Sequence, residues 1–277
     1  MRVIRRWLIA IVAAAAVLAM VGMNGGSVNA STRPVTKGTL RPAIHLSHGP
    51  KANPQGIPVD YSGNWSGYIA LPKTGATKTF KYVQASYSVP SVNCSVTNYA
   101  FSYHWVGLDG WTDGTVEQDG VGSFCVSGTP DYFAWYEMFP AGVTEEFSVN
   151  PGDAITSSVT YDGSGNYTMQ LTDQTSGQSF DVGTTCASTC DNSTAEVITE
   201  GYTSSPYNGT ADFGEEHYDS AEVQNAGGKL GGLTNTKWST IESIALGGTT
   251  GDIDTAPGPL FKATDESAFA LTWYREN

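Results

Sequence analysis

From Tyr61 onward, apolar and aromatic positions fall in short runs that alternate with polar ones, and no run sustains a helical period. KYVQASYSV (81–89), YAFSYHWVGL (99–108), DYFAWYEMF (131–139), AITSSVTYD (154–162), NYTMQLTDQ (166–174), AEVITEGY (195–202) and AFALTWYRE (268–276) each predict a strand. Clusters of Gly, Asn, Asp and Ser separate them, at intervals of about ten residues. The pattern predicts one all-β antiparallel domain over 60–277, a sandwich or a barrel, with the glycine-rich stretch 227–235 as a loop.

The beginning of the chain follows another pattern. Arg2, Arg5 and Arg6 precede an apolar run from Trp7 to about Gly22, and small residues lead to Ala30. That order predicts a secretory signal over 1–30 with cleavage after Ala30. A membrane anchor is the competing reading, but the run is shorter than the roughly 20 residues a span needs. The mature protein is therefore expected outside the cell and free of the membrane.

Charge separates a second segment. All 27 acidic residues lie at or after Asp60, and seven of the 14 Lys and Arg lie before it. The domain 60–277 thus carries 7 − 27 = −20, whereas 31–59 is proline-rich, holds Arg33, Lys37, Arg41, Lys51, His45 and His48, and has no acid. Residues 31–59 read as a basic pro-segment, expected to inhibit the domain by lying over its acidic surface. So acidic a domain offers nucleic acid or an anionic membrane no electrostatic footprint.

Four cysteines in an exported chain predict two disulfides. Cys186 and Cys190 are close enough to close a small loop, which leaves Cys94 with Cys125. Zinc is the alternative use of four cysteines, but a second close pair is missing. No metal and no cofactor is expected.

Familiar catalytic sets are absent. The domain has two histidines, His104 and His217, and no Gly-x-Ser-x-Gly turn, so a serine triad is not expected; His104 reads as a hydrogen-bonded core or surface residue. Asp113-Gly114-Thr115 and Asp254-Thr255-Ala256 do not make the paired turns of an aspartic protease. Strand alternation places Phe101, Tyr103, Trp105, Gly107 and Asp109 on one face, and Asp131, Phe133, Trp135, Glu137 and Phe139 on another. Faces that mix aromatics with carboxylates suggest a groove for an extended ligand. In AEVITE, Glu196, Ile198 and Glu200 share a face, so two carboxylates stand together. Gln118 lies on the strand face opposite Glu117 and Asp119. A sugar-binding module, or a glycoside hydrolase using Glu137 and Glu200, would also fit an aromatic groove.

Seven pieces in one order are more specific. Asn64-Trp65-Ser66-Gly67, Ser86-Tyr87-Ser88-Val89-Pro90, Trp105-Val106-Gly107-Leu108-Asp109-Gly110, Gln118 followed by Cys125, Ala134 to Pro140, Ala195 to Glu200, and Ala211-Asp212-Phe213-Gly214 together resemble the glutamic peptidases, or eqolisins, the G1 class of acid endopeptidases. The resemblance implies a two-sheet antiparallel β-sandwich of the concanavalin or lectin-like type with a substrate groove on its concave face. It implies polypeptide substrates and a catalytic pair, Gln118 and Glu200. Around them Trp105 would form an apolar platform for substrate, Asp109 and Glu137 would position the pair, and Glu196 would belong to the supporting network. The chain departs from the fungal pattern at Val197, where tryptophan is usual, and at Gly122 and Phe133, where acids are usual. A monomer is expected.

Overall fold

The computed structural model describes residues 52–274 apart from 75–78, 187–188, 202, 205–206, 248–250 and 264. The expected signal 1–30 and the basic stretch up to Lys51 lie outside the described residues. Among those described there is no helix. The strands are β1 (Val59–Ser62), β2 (Trp65–Pro72), β3 (Phe80–Ser88), β4 (Tyr99–Leu108), β5 (Val116–Val126), β6 (Thr129–Phe139), β7 (Thr144–Ser148), β8 (Ala154–Tyr161), β9 (Asn166–Asp173) and β10 (Ser179–Thr185). They continue with β11 (Ala195–Glu200), β12 (Thr203–Ser204), β13 (Tyr207–Asn208), β14 (Glu215–Asn225), β15 (Leu230–Gly232), β16 (Trp238–Gly247), β17 (Asp252–Pro257), β18 (Phe261–Ala263) and β19 (Glu266–Trp273). All seven segments singled out by alternation fall on strands, and the predicted loop 227–235 contains the short β15.

Pairing runs in two series. One is β7-β6-β5-β4-β11-β2-β16-β1, antiparallel except for the parallel β16–β1 edge. The other is β10-β9-β8-β3-β14-β19, antiparallel throughout. β17 pairs with both β16 and β19 and joins the series into a nearly closed, sandwich-like sheet.

The main core draws Tyr68, Val106, Val121, Ala134 and Val197 from the first series and Val83, Val159, Met169, Leu171, Tyr218 and Phe269 from the second. A separate cluster includes Trp65, Ile69, Phe101, Trp105, Phe124, Phe133, Trp135 and Ile198 from β2, β4, β5, β6 and β11, with Trp111 from the loop after β4. Its members alternate with the residues of the main core, so it covers the other face of the first series. Trp65, Trp105 and Trp135 are buried there, and truncating a ring of that size typically costs about 3–5 kcal/mol.

Two local features set the geometry that matters below. Ser127 and Gly128 both have positive φ, 53° and 73°, and they connect paired Val126 and Thr129 in a two-residue hairpin that fixes the β5–β6 register. Cys94–Cys125 ties the segment before β4 to β5 across 31 residues, a closure worth about 3–4 kcal/mol on a chain-entropy account, and Cys186–Cys190 closes the small loop before β11. Both expected disulfides are present.

The described end of the expected pro-segment belongs to the domain. Ala52 bridges Pro58, the Asn53 side chain donates to Glu242, and Gln55 exchanges two hydrogen bonds with the backbone of Leu260 at 2.8 and 2.9 Å.

Candidate active site

Gln118 lies on β5 between Gly107 of β4 and Glu137 of β6. Glu200 closes β11 between Tyr103 of β4 and Trp65 of β2. Gly107 and Tyr103 are four residues apart on one strand, hence on one face. Gln118 and Glu200 therefore project from the same side of the sheet, with β4 between them. A Cβ on Gly107 would sit 2.8 Å from the Trp105 ring and 3.2 Å from the Gln118 Cβ, so glycine keeps β4 low where it passes the amide.

Each of the two side chains is held by one atom. Gln118 Nε2 donates to Glu137 Oε2 at 2.8 Å, and Gln118 Oε1 has no partner. Asn64 Nδ2 donates to Glu200 Oε1 at 2.9 Å, and Glu200 Oε2 has no partner. The indole N–H groups of Trp65, Trp105 and Trp135 are likewise buried without hydrogen bonds. Buried polar atoms are nearly always paired, so the unpaired amide oxygen, carboxylate oxygen and indole N–H groups on this face are open to a second molecule; the carboxylates of Glu117 and Asp119 on the opposite face of β5 are unpaired as well.

Burial pushes Glu200 up to about 8, while the Asn64 amide and the nearby indoles of Trp65 and Trp105 favour its anion. Those indoles lie near the carboxylate without satisfying hydrogen-bond geometry, so their effect is that of oriented dipoles. Burial, and after it the charge of Glu200, push Glu137 up to about 8 against the donor from Gln118. Glu200 has the richer set of anion-favouring groups, so it is the better placed of the two to ionise.

The other expected residues divide. Trp105 is buried and meets Trp65 edge to face at 4.9 Å between ring centroids. Glu196 pairs with Gly107 and Ile69 on the same face as Glu200, is buried, and bonds neither Glu200 nor Gln118; burial drives its carboxyl well above the usual range. Asp109 leaves the strand alternation at φ 69°, and its carboxylate accepts the backbone N–H groups of Asn192 at 2.7 Å and Ser193 at 2.5 Å. It thus braces the loop before β11. Asn64, Trp65 and Trp135 are site residues whose roles the sequence left unassigned; their places in quoted motifs, and for Trp135 its place on the face with Glu137, were the pointers.

Two other chemistries are disfavoured. Ser102 Oγ lies 2.9 Å from His104 Nε2, and His104 Nδ1 lies 2.5 Å from Glu216 Oε2, the order of a serine-hydrolase relay. All three lie on the strand faces that carry Val106 and Tyr218 into the main core between the two series, not on the outer face that carries Gln118 and Glu200, so no substrate carbonyl reaches them and His104 is the core residue expected. Glu117, Cys186 and Cys190 have ligand-type atoms within 4.8 Å of one another, but the two sulfurs are joined as a disulfide.

The model of the Peptidase A4 family matches residues 63–253, more than half of the chain and inclusive of every residue above. No curated protein matches the chain significantly in sequence. Among solved structures, scytalido-glutamic peptidase with a peptide-based transition-state analog is similar at 22% identity and a TM-score of 0.61, covering 76% of this chain and 98% of that one. SCP-B, a member of the eqolisin family in complex with the tripeptide Ala-Ile-His, is similar at 21% identity and 0.60 over the same shares. Aspergilloglutamic peptidase from Aspergillus niger is similar at 23% identity and 0.51, covering 63% of this chain and 99% of that one. The chain belongs to the Peptidase A4 family, the eqolisin group, and is a glutamic-type peptidase.

Proposed function

We propose that the protein is an exported acid endopeptidase in which Glu200 takes a proton from water and Gln118 steadies the tetrahedral intermediate. The observation that carries this is the shared sheet face: a buried carboxylate and a buried amide flank β4, each with one atom committed and another free. As water loses its proton to Glu200, its oxygen bonds to the scissile carbonyl carbon. Gln118 Nε2 has a second hydrogen beyond the one given to Glu137, and it can donate that hydrogen to the oxyanion. Glu200 then passes its proton to the departing nitrogen as the C–N bond breaks, leaving a carboxylic acid and an amine.

Desolvation is the leading cause of the raised Glu200 value. Water and a polar peptide entering the site relieve it, so the occupied site ionises at lower pH than the dry one. Glu200→Gln is expected to abolish cleavage of a denatured protein at acid pH, and Gln118→Glu to reduce it by about 10²–10³-fold or more. Both variants should remain folded by circular dichroism. Near-wild-type activity in either would refute the pair.

The finer architecture proposed is a two-layer sandwich of the lectin-like type, supported by two strand series enclosing one core. The chain is taken to act on polypeptides as a monomer outside the cell, after loss of signal 1–30. The basic stretch that precedes Ala52 is assigned as the inhibitory pro-segment, complementary in charge to a domain of −20 (7 − 27 over Asp60–Asn277). A synthetic 31–51 peptide should inhibit at pH 7 and lose its effect at pH 4, as carboxylates protonate. A peptide inert at both would remove the assignment.

A further inference from the structure

We propose that Asn64 is a positioning residue for the reaction: it holds Glu200 through Oε1 and thereby assigns Oε2 as the oxygen that exchanges the proton with water. The inference rests on the function proposed above and adds which atom of the carboxylate reacts, and why.

The Ser62 hydroxyl sets the orientation of the Asn64 amide. Its oxygen accepts the backbone N–H groups of Asn64 at 3.2 Å and Trp65 at 3.0 Å, which occupy both acceptor directions. Its hydrogen is left to donate, and Asn64 Oδ1 stands 3.1 Å away. Oδ1 is thus the acceptor side of the amide, and Nδ2 faces Glu200 Oε1 at 2.9 Å. A flipped amide would set an N–H₂ group against an oxygen already saturated and an oxygen against a carboxylate. The network therefore has one sense. Ser62, Asn64 and Glu200 are all buried, so water does not compete for these bonds.

The backbone reinforces the same contact. Gly201 N–H donates to the Asn64 carbonyl at 3.1 Å, so Asn64 braces the residue after Glu200 as well as its side chain. β2 leaves this turn and pairs with β11, setting Trp65 opposite Glu200. A carboxylate clamped at one oxygen and tethered by its own backbone presents the other in a fixed direction. Oε2 has no partner among the described residues. Asn64 is also the foremost side chain favouring the Glu200 anion. Glu137 on β6 is the titratable group whose charge acts together with that of Glu200, and the His104–Glu216 pair lies on the opposite face of β11, next to Thr199.

The test compares pH profiles of kcat for the wild type, Asn64→Leu and Ser62→Ala. Leucine keeps the volume and removes the donor, so the acid limb should move to higher pH by about one unit, a tenfold change in ionisation. KM should stay within about twofold of the wild type, since Asn64 is buried and bonds the carboxylate. Ser62→Ala loosens the amide without touching Glu200 and should shift the limb in the same direction by less. If Asn64→Leu does not fold, Ser62→Ala decides alone. An unmoved acid limb, with kcat falling only in step with thermal stability, overturns the assignment. Cleavage by Glu200→Gln would instead bring down the function it rests on, a separate outcome.

Discussion

Asp109 and Glu137 are both buried acids, and their hydrogen bonds give them different work. Glu137 receives the Gln118 amide, while Asp109 receives two backbone N–H groups from the loop before β11. Asp109→Asn keeps the size but turns an N–H₂ group toward one of those donors, and the mismatch costs about 1–3 kcal/mol. At about 2–4 °C per kcal/mol for a domain of this size, the Tm should fall by several degrees with KM unchanged. An altered KM at unchanged Tm would return Asp109 to the substrate. The sequence placed Asp109 on the Trp105 face because alternation was carried one residue past the end of β4; a positive φ ends it. Asn64 was legible only as part of Asn-Trp-Ser-Gly, since nothing local says that it will meet a carboxylate 136 residues away.

β5 shows what an element must do to bring the pair together. It is buried from Val116 to Cys125, on both faces, yet its sequence is glycine-rich and carries three ionisable or amide side chains in a row. Alternation assigned Gln118 and its neighbours to opposite faces correctly, and it separated the faces of β4 and β6, because that depends only on the strand period. What it could not give is register, which comes from the Ser127–Gly128 hairpin and from the pairing of β4 with β11 far along the chain. Close approach of β4 and β5 also depends on Gly120, where a Cβ would stand 2.1 Å from the His104 carbonyl oxygen. Backbone cannot yield as a side-chain tip can. Gly120→Ala should cost at least about 1–3 kcal/mol, read as a lower Tm, and should reduce kcat by tilting Gln118. An unchanged Tm would mean that the strands part more easily than this packing allows.

At the scale of the whole molecule, raised carboxyl pKa values have a common cause and a common sign. Burial pushes Asp109 to about 6, Glu137 and Glu200 to about 8 and Glu117 to about 9, and lifts Asp119 and Glu196 well above the usual range. Each folded value exceeds the unfolded one of about 4, so folding takes up protons. The stability from these groups is fully present below about pH 4 and is lost as pH rises, the loss being complete for Asp109 by about pH 6, for Glu137 and Glu200 by about pH 8 and for Glu117 by about pH 9. Thermal unfolding followed from pH 3 to pH 9 should show the highest Tm on the acid side; a Tm rising toward pH 9 would contradict the burial of these groups. The excess of negative charge over 60–277 adds self-repulsion in the same direction. At the other end of the sequence, the stretch from Ala52 to Val59 was assigned to the removable leader because its composition changes only at Asp60, yet Asn53 and Gln55 fasten it to Glu242 and Leu260. A trimming enzyme that stopped at the change in composition would pull a stitch from the finished body, and one that stopped at Lys51 would leave the seam closed.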